Sequence, residues 1–303
     1  MLLSLRGGDI KRVMRWRNFS SNVSPKTNAV DAEAATKLSN GKERDTNLFV
    51  KADKTASFAL AGCGWLTPFY FGVIERMQEA GYLTDKSLVA GTSGGSLGAL
   101  VAVSGISPRA GLQLLIDMSL DKTFKDNIDV GIKTSLHSIL PENIVERSNG
   151  RLYVCVTKLW PDPMAKPHVV SQFASKDHIV DTVAASCFIP FYSTPKTFFT
   201  KIIDKPNEIY VDGGLFGVMP PIGDIRVSPF SLFMMRRPPN IRINPSTFSA
   251  PRLFSWVLTP APPDVLKEFY MEGYRAADEY IELKESSANQ NRNTVSEKYS
   301  NFR

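Results

Sequence analysis

The stretch Leu88-Val89-Ala90-Gly91-Thr92-Ser93-Gly94-Gly95-Ser96-Leu97-Gly98-Ala99-Leu100-Val101-Ala102-Val103 decides how this chain is read. A short apolar run comes first, glycines then flank Ser93, and small and apolar residues follow. The pattern predicts a buried strand over Leu88–Ala90, a sharp turn at Ser93 and a helix over Gly94–Val103. Gly91-Thr92-Ser93-Gly94-Gly95 fits G-x-S-x-G, the nucleophile elbow, with the strand before and helix after that the motif requires. The need is steric, since a serine on so tight a turn has strained backbone angles and only small neighbours avoid collision. The following helix points its free N–H groups and positive dipole end at the same place, which favours an oxyanion. A glycine-rich turn carrying a solvated serine is the alternative.

This stretch lies in an uncharged run of 22 residues between Lys86 and Arg109, long enough to raise the question of a membrane span. Its five glycines and several hydroxyls, without anchoring flanks, favour a buried strand, turn and helix instead. Outward from it, β-rich and helical runs alternate from residue 55 to 284, which argues for a layered α/β fold. Strands are expected at Ser57–Ala61, Leu152–Val156, Val169–Phe173, Glu208–Val211 and Ile225–Val227. Helices are expected at Pro68–Glu79, Asp177–Ala185 and Asp264–Lys284, the last with Asp264 as N-cap. Residues from Ser286 onward read as a polar, frayed tail.

Two further loops bear on chemistry. Gly62-Cys63-Gly64-Trp65 ends the first strand, and its unhindered N–H groups either face an oxyanion or merely permit close packing. Asp212, in Val211-Asp212-Gly213-Gly214, is a carboxylate at a strand end, although Asp-Gly is also a common turn former. A serine nucleophile needs a base. The chain has three histidines, His137, His168 and His178, and either of the last two could close a triad with Asp126 or Asp162. Neither has a loop glycine beside it.

The three loops together closely resemble the patatin-like phospholipases, in detail most like the animal adipose triglyceride lipase and adiponutrin branch. Ser57–Leu66, Ala184-Ala185-Ser186-Cys187-Phe188-Ile189-Pro190, Tyr210–Gly214, Ile225–Phe230 and Gly273-Tyr274-Arg275 resemble the corresponding blocks in order. The resemblance implies a three-layer α/β/α sandwich with a mixed central sheet, and a Ser/Asp dyad without histidine. It makes Ser93 the nucleophile and Asp212 the proton acceptor. Gly62, Cys63, Gly64 and Gly94 become the oxyanion hole, with Gly91, Gly95, Gly213 and Gly214 as elbow and turn glycines. No cofactor and no metal are implied. The substrate is a glycerolipid ester at a membrane or lipid-droplet surface, and a protein co-activator is compatible with it. The competing readings are a serine esterase with a histidine triad and a non-catalytic lipid-binding protein of the same fold.

Charge and cysteine use agree with this. The formal charge of +6 is concentrated in residues 1–30, with six basic residues against Asp9, while the other 273 residues carry 30 basic and 29 acidic groups. The near-neutral body gives a nucleic-acid surface no support. Cys63, Cys155 and Cys187 form no C-x-x-C pair and suit a reducing compartment. Residues 1–54 read as a presequence or linker: a presequence would direct the protein to the mitochondrion or plastid, whereas a solvated tail leaves it cytoplasmic with peripheral membrane or droplet association. Residues 55–284 form the catalytic domain and 285–303 a C-terminal tail. The proline-rich excursion after residue 238 contains Phe254, Trp256 and Leu258, which are a candidate lipid interface or else core anchors of that loop.

Overall fold

The computed structural model describes residues 54–300, apart from 123, 125, 126, 162, 163 and 231–241, with side chains at 250 and 288–300 also outside the description. The basic segment, Asp126 and Asp162 therefore lie outside the described residues. Among the described residues seven strands form one mixed sheet: β1 (Phe58–Leu60), β2 (Val89–Thr92), β3 (Leu152–Trp160), β4 (Lys166–Val170), β5 (Thr200–Ile202), β6 (Lys205–Val211) and β7 (Ile225–Val227). β7, β1, β2 and β3 run parallel, whereas β4 and β6 pair antiparallel with β3 and β5 with β6. Every residue of β1 and β2 is buried. Since successive strand residues point to opposite faces, the sheet centre must be covered on both sides, giving the three-layer α/β/α arrangement.

The helices are α1 (Pro68–Glu79), α2 (Gly94–Ser104), α3 (Pro108–Leu120), α4 (Ile128–Ile139), α5 (Ile144–Ser148), α6 (Lys176–Ser186), α7 (Ala250–Ser255) and α8 (Pro263–Ser300). Among these described helices none is long and apolar enough to cross a membrane. Helices α1 and α8 cross through reciprocal glycines. A Cβ on Gly72 would stand 1.9 Å from the Tyr270 carbonyl oxygen, and one on Gly273 would stand 1.9 Å from that of Phe69. Backbone therefore packs on backbone, with Phe69, Tyr70, Leu266 and Phe269 buried around the crossing.

The pairing pattern fixes the site. Val154 and Cys155 of β3 pair with β2 on one side and β4 on the other, and Thr157 and Lys158 pair with both β6 and β4. A strand has only two edges, so β2 and β6 share one edge of β3, end to end and in opposite directions. Thr92 stops opposite Cys155 and Val211 stops opposite Thr157. The residues that follow, Ser93 and Asp212, come out of the sheet at the same point.

Three expectations need correction. The strand read at Val169–Phe173 lies at Lys166–Val170 and is half-exposed. Phe173 is buried beyond its end, where Asn149 donates to its carbonyl (3.1 Å) and accepts from its N–H (2.8 Å). Asp264 is not the N-cap of the last helix, because Pro263 already occupies a helical position and leaves Asp264 in the first turn, where its charge suits the dipole. Nor does the helix end at Lys284. It continues to Ser300, through a segment with no glycine or proline to stop it.

Candidate active site

Ser93 sits between β2 and α2 with φ 51° and ψ −129°, a left-handed backbone that a non-glycine residue adopts only under constraint. Four contacts supply it. The Ser93 N–H donates to Ser186 Oγ (2.8 Å), which in turn donates to the Cys155 carbonyl (2.6 Å). Ser96 Oγ donates to the Ser93 carbonyl (2.6 Å), and Thr67 Oγ1 donates to the Gly94 carbonyl at 3.2 Å. The elbow lies so close to β1 that a Cβ on Gly95 would stand 2.3 Å from the Leu60 carbonyl oxygen.

Ser93 Oγ donates to Asp212 Oδ2 at 2.6 Å, and the other carboxylate oxygen accepts from Gly214 N–H at 2.7 Å. The Asp212 backbone is held as well: its N–H donates to Phe188 O (2.7 Å) and its carbonyl accepts from Thr157 Oγ1 (2.9 Å). Gly213 passes flat against β3, since a Cβ there would reach within 2.2 Å of the Cys155 oxygen. Only 8% of Asp212 is exposed. Burial pushes its carboxyl up to about 6, against the two hydrogen bonds that pull it down. The nearby thiols of Cys63 and Cys187 are also raised by burial, Cys63 to about 12, so they stand neutral beside it.

The glycine loop divides in a way its sequence does not display. Gly62 is corrected as an oxyanion donor, because its N–H donates to the Val218 carbonyl (2.8 Å). Trp65 N–H is likewise engaged, with Val257 O at 3.0 Å. Cys63 and Gly64 N–H have no backbone or side-chain acceptor among the described residues. Gly64 has φ +56°, and a Cβ there would stand 1.9 Å from the Val257 oxygen and clash outright. Gly94, first residue of α2, faces it: its own Cβ would be 2.6 Å from the Gly64 carbonyl oxygen. Cys63, Gly64 and Gly94 thus lie against one another next to Ser93 in the fold.

The histidines have partners elsewhere. His137 pairs with Asp177, His178 Nδ1 lies 2.7 Å from Asp204 Oδ2, and His168 packs near the Tyr210 ring. Among the described residues no three His, Cys, Asp or Glu side chains gather as a metal site.

Ser93 and Gly94 open into a cavity of about 60 Å³, lined on its far side by Leu97, Leu115, Met118, Phe124 and Ile132. Tyr192 and the exposed Leu258 also line it, and Tyr192 OH accepts from Trp65 Nε1 (3.0 Å) and donates to Leu258 O (2.7 Å). Of the three candidate interface residues, Phe254 and Leu258 are exposed while Trp256 packs half-buried on the core; Leu253 is the anchor of that loop. The sequence reading missed Phe191, Leu215 and Phe216. Phe191 is 75% exposed at φ 62°, and Leu215 and Phe216 lie exposed just after Asp212. Backbone strain at a bulky exposed aromatic has no sequence signature. Ser186 and Thr67 were missed too, since hydroxyls serving backbone groups follow no pattern.

A family model described as patatin-like phospholipase matches residues 58–223. The human 1-acylglycerol-3-phosphate O-acyltransferase PNPLA3 is 30% identical over 194 residues, covering 59% of this chain and 38% of that protein. The mouse omega-hydroxyceramide transacylase is 27% identical over 259 residues (76% and 41%), and the human patatin-like phospholipase domain-containing protein 4 is 26% identical over 199 (59% and 73%). This chain therefore spans under half the length of the first two. Among solved structures, VipD from Legionella pneumophila aligns with a TM-score of 0.46 at 14% identity, covering 76% of this chain and 67% of that one. Because the matched segment takes in more than half of the sequence and contains both Ser93 and Asp212, the chain belongs to the patatin-like phospholipase family.

Proposed function

We propose that the protein is a lipid acyl hydrolase that releases fatty acid from a glycerolipid ester through a Ser93/Asp212 dyad. The observation that carries this is the 2.6 Å hydrogen bond to the buried Asp212 carboxylate from Ser93 Oγ, whose residue lines an apolar cavity. Ser93 Oγ attacks the ester carbonyl carbon while its proton passes to Asp212 Oδ2. The N–H groups of Cys63, Gly64 and Gly94 stabilise the oxyanion. Collapse of the intermediate breaks the ester C–O bond, and the leaving alcohol takes the proton from Asp212. Water then attacks the acyl-enzyme as Asp212 accepts its proton, the fatty acid leaves, and the proton returns to Ser93. Covalent labelling by a fluorophosphonate and release of fatty acid from a lipid panel are both expected in the wild type and lost in Ser93→Ala. Fatty-acid release that persists in Ser93→Ala would sink the assignment.

A second reading is favoured by the names of two relatives, an O-acyltransferase and a transacylase. The same acyl-enzyme can be discharged by a lipid alcohol in place of water, and the apolar cavity walls support keeping water scarce there. Product analysis with a lipid alcohol present separates the two, because transfer yields a new ester at the expense of free acid.

Access is from a lipid surface. Phe191, Leu215, Phe216, Phe254 and Leu258 are exposed close in sequence to Tyr192, Asp212 and Val257, and they serve as an apolar rim that meets the lipid. Phe191→Ser combined with Phe254→Ser is expected to weaken vesicle partitioning about tenfold or more, read by co-sedimentation of protein with an unchanged thermal midpoint. Undiminished vesicle binding would remove the rim from this role.

A further inference from the structure

Behind the catalytic cavity lies a second one of about 30 Å³, in the space bounded by α2, α3 and α4. The two share the side chains of Leu97, Leu115, Met118 and Ile132, which form the partition between them. Beyond the partition the walls include Phe71, Val101, Ile106, Gly111 and Ile139, and among the lining residues only Ser135 carries a polar side-chain atom. No Asp, Glu, Lys, Arg or His lines either cavity.

We propose that the second cavity receives the distal part of the acyl chain esterified to Ser93 and sets which chain lengths the enzyme accepts; this rests on the acyl-enzyme reading above. Three observations carry it. First, its volume is enough for water, but a bound water needs two or more polar partners and the lining offers almost none. A hydrocarbon chain makes no such demand and gains from burial. Second, the walls follow α2 away from Ser93. At 1.5 Å per residue Leu97 is about 6 Å along the helix and Val101 about 12 Å. A carbon chain built from ~1.5 Å single bonds at ~111° advances about 1.25 Å per carbon, so an acyl chain of about four carbons stays within the first cavity and one beyond about eight reaches the second. Third, the partition contains Met118, buried and unbranched, the side chain best able to change rotamer and let a chain pass. In the lining Gly111 packs closely on its neighbours: a Cβ there would already meet Phe71 Cζ at 3.2 Å and Val101 Cγ2 at 3.3 Å, so a larger side chain must take its room from the cavity walls.

The test compares two alkyl fluorophosphonates, one with a four-carbon and one with a sixteen-carbon chain, by their rates of covalent labelling of Ser93. Two variants fill the second cavity from opposite walls, Gly111→Val on α3 and Ser135→Phe on α4, and neither residue lines the first cavity. Having two covers the case in which the tight Gly111 site does not tolerate valine. The expected result is a fall in the long-to-short rate ratio of at least about tenfold, since each methylene denied burial is worth about fourfold. A ratio within twofold of wild type in a folded variant overturns the proposal, and so does a variant that changes only the oligomeric state, which would make the cavity a seat for another copy of the chain. Failure of the underlying reading looks different, because then the wild type itself is labelled at Ser93 by neither probe.

Discussion

Asp212→Asn is expected to lower turnover by about 10³-fold while leaving the protein folded and more resistant to unfolding. The amide cannot take the proton of Ser93 Oγ, yet it has the shape to keep the contacts to Ser93 and to Gly214 N–H. In the wild type, burial raises the carboxyl to about 6, and in the proposed mechanism the base is the ionised form. Activity therefore falls about tenfold per unit as the pH drops below about 6. Stability moves the other way. A carboxyl raised in the folded state above its unfolded value near 3.9 penalises folding wherever it is ionised. The penalty is fully present above about pH 6 and fades as the pH falls toward 4. At neutral pH it amounts to roughly 3 kcal/mol, by linkage over about two pKa units, and Asn removes it. The checks are the acid limb of kcat/KM and the thermal midpoints of both proteins at pH 8. An acid limb near 4 would contradict a buried base. Turnover retained by Asp212→Asn would return the assignment to a histidine.

The second large effect is structural. Gly273→Ala should destabilise the protein by about 3 kcal/mol or more, a drop of roughly 6–12 °C in Tm for a domain of this size. Helix propensity alone predicts the opposite sign, since alanine is favoured over glycine inside a helix by about 1 kcal/mol. The crossing decides the outcome: a methyl 1.9 Å from the Phe69 carbonyl oxygen can be relieved only by moving α8 off α1. Gly72→Ala should act alike, and the double variant should cost less than the sum, because one alanine has already opened the crossing. A Tm at or above that of wild type would show that the helices part at little cost.

What could be read from the chain, and what could not, follows the range of the interactions. The elbow was legible because its constraints lie within five residues and reduce to the absence of side chains at Gly91, Gly94 and Gly95. Asp212 was legible as a strand end, but its meeting with Ser93 depends on β6 running antiparallel along the edge of β3 that β2 vacates, a pairing no local pattern encodes. Gly62 was assigned to the oxyanion hole because a loop glycine looks the same whether its N–H is free or donated to Val218, far downstream. Helices α3 and α4 do carry start signals in the sequence. Ser107 precedes Pro108 and accepts from Ala110 N–H, and Asn127 accepts from Val130 N–H, both ordinary helix starts. Those two helices wall the second cavity.

The end-to-end meeting of β2 and β6 means that Ser93 and Asp212 inherit unequal protection from opening. Ser93 hangs from the fully buried middle of the sheet, whereas Asp212 is delivered by a β5–β6 hairpin whose outer residues, Lys205 to Asn207, are exposed. Opening of that hairpin needs less free energy than loss of the whole sheet. Asp212 can thus withdraw while Ser93 stays in place, so heat should silence the proposed activity before it unfolds the protein.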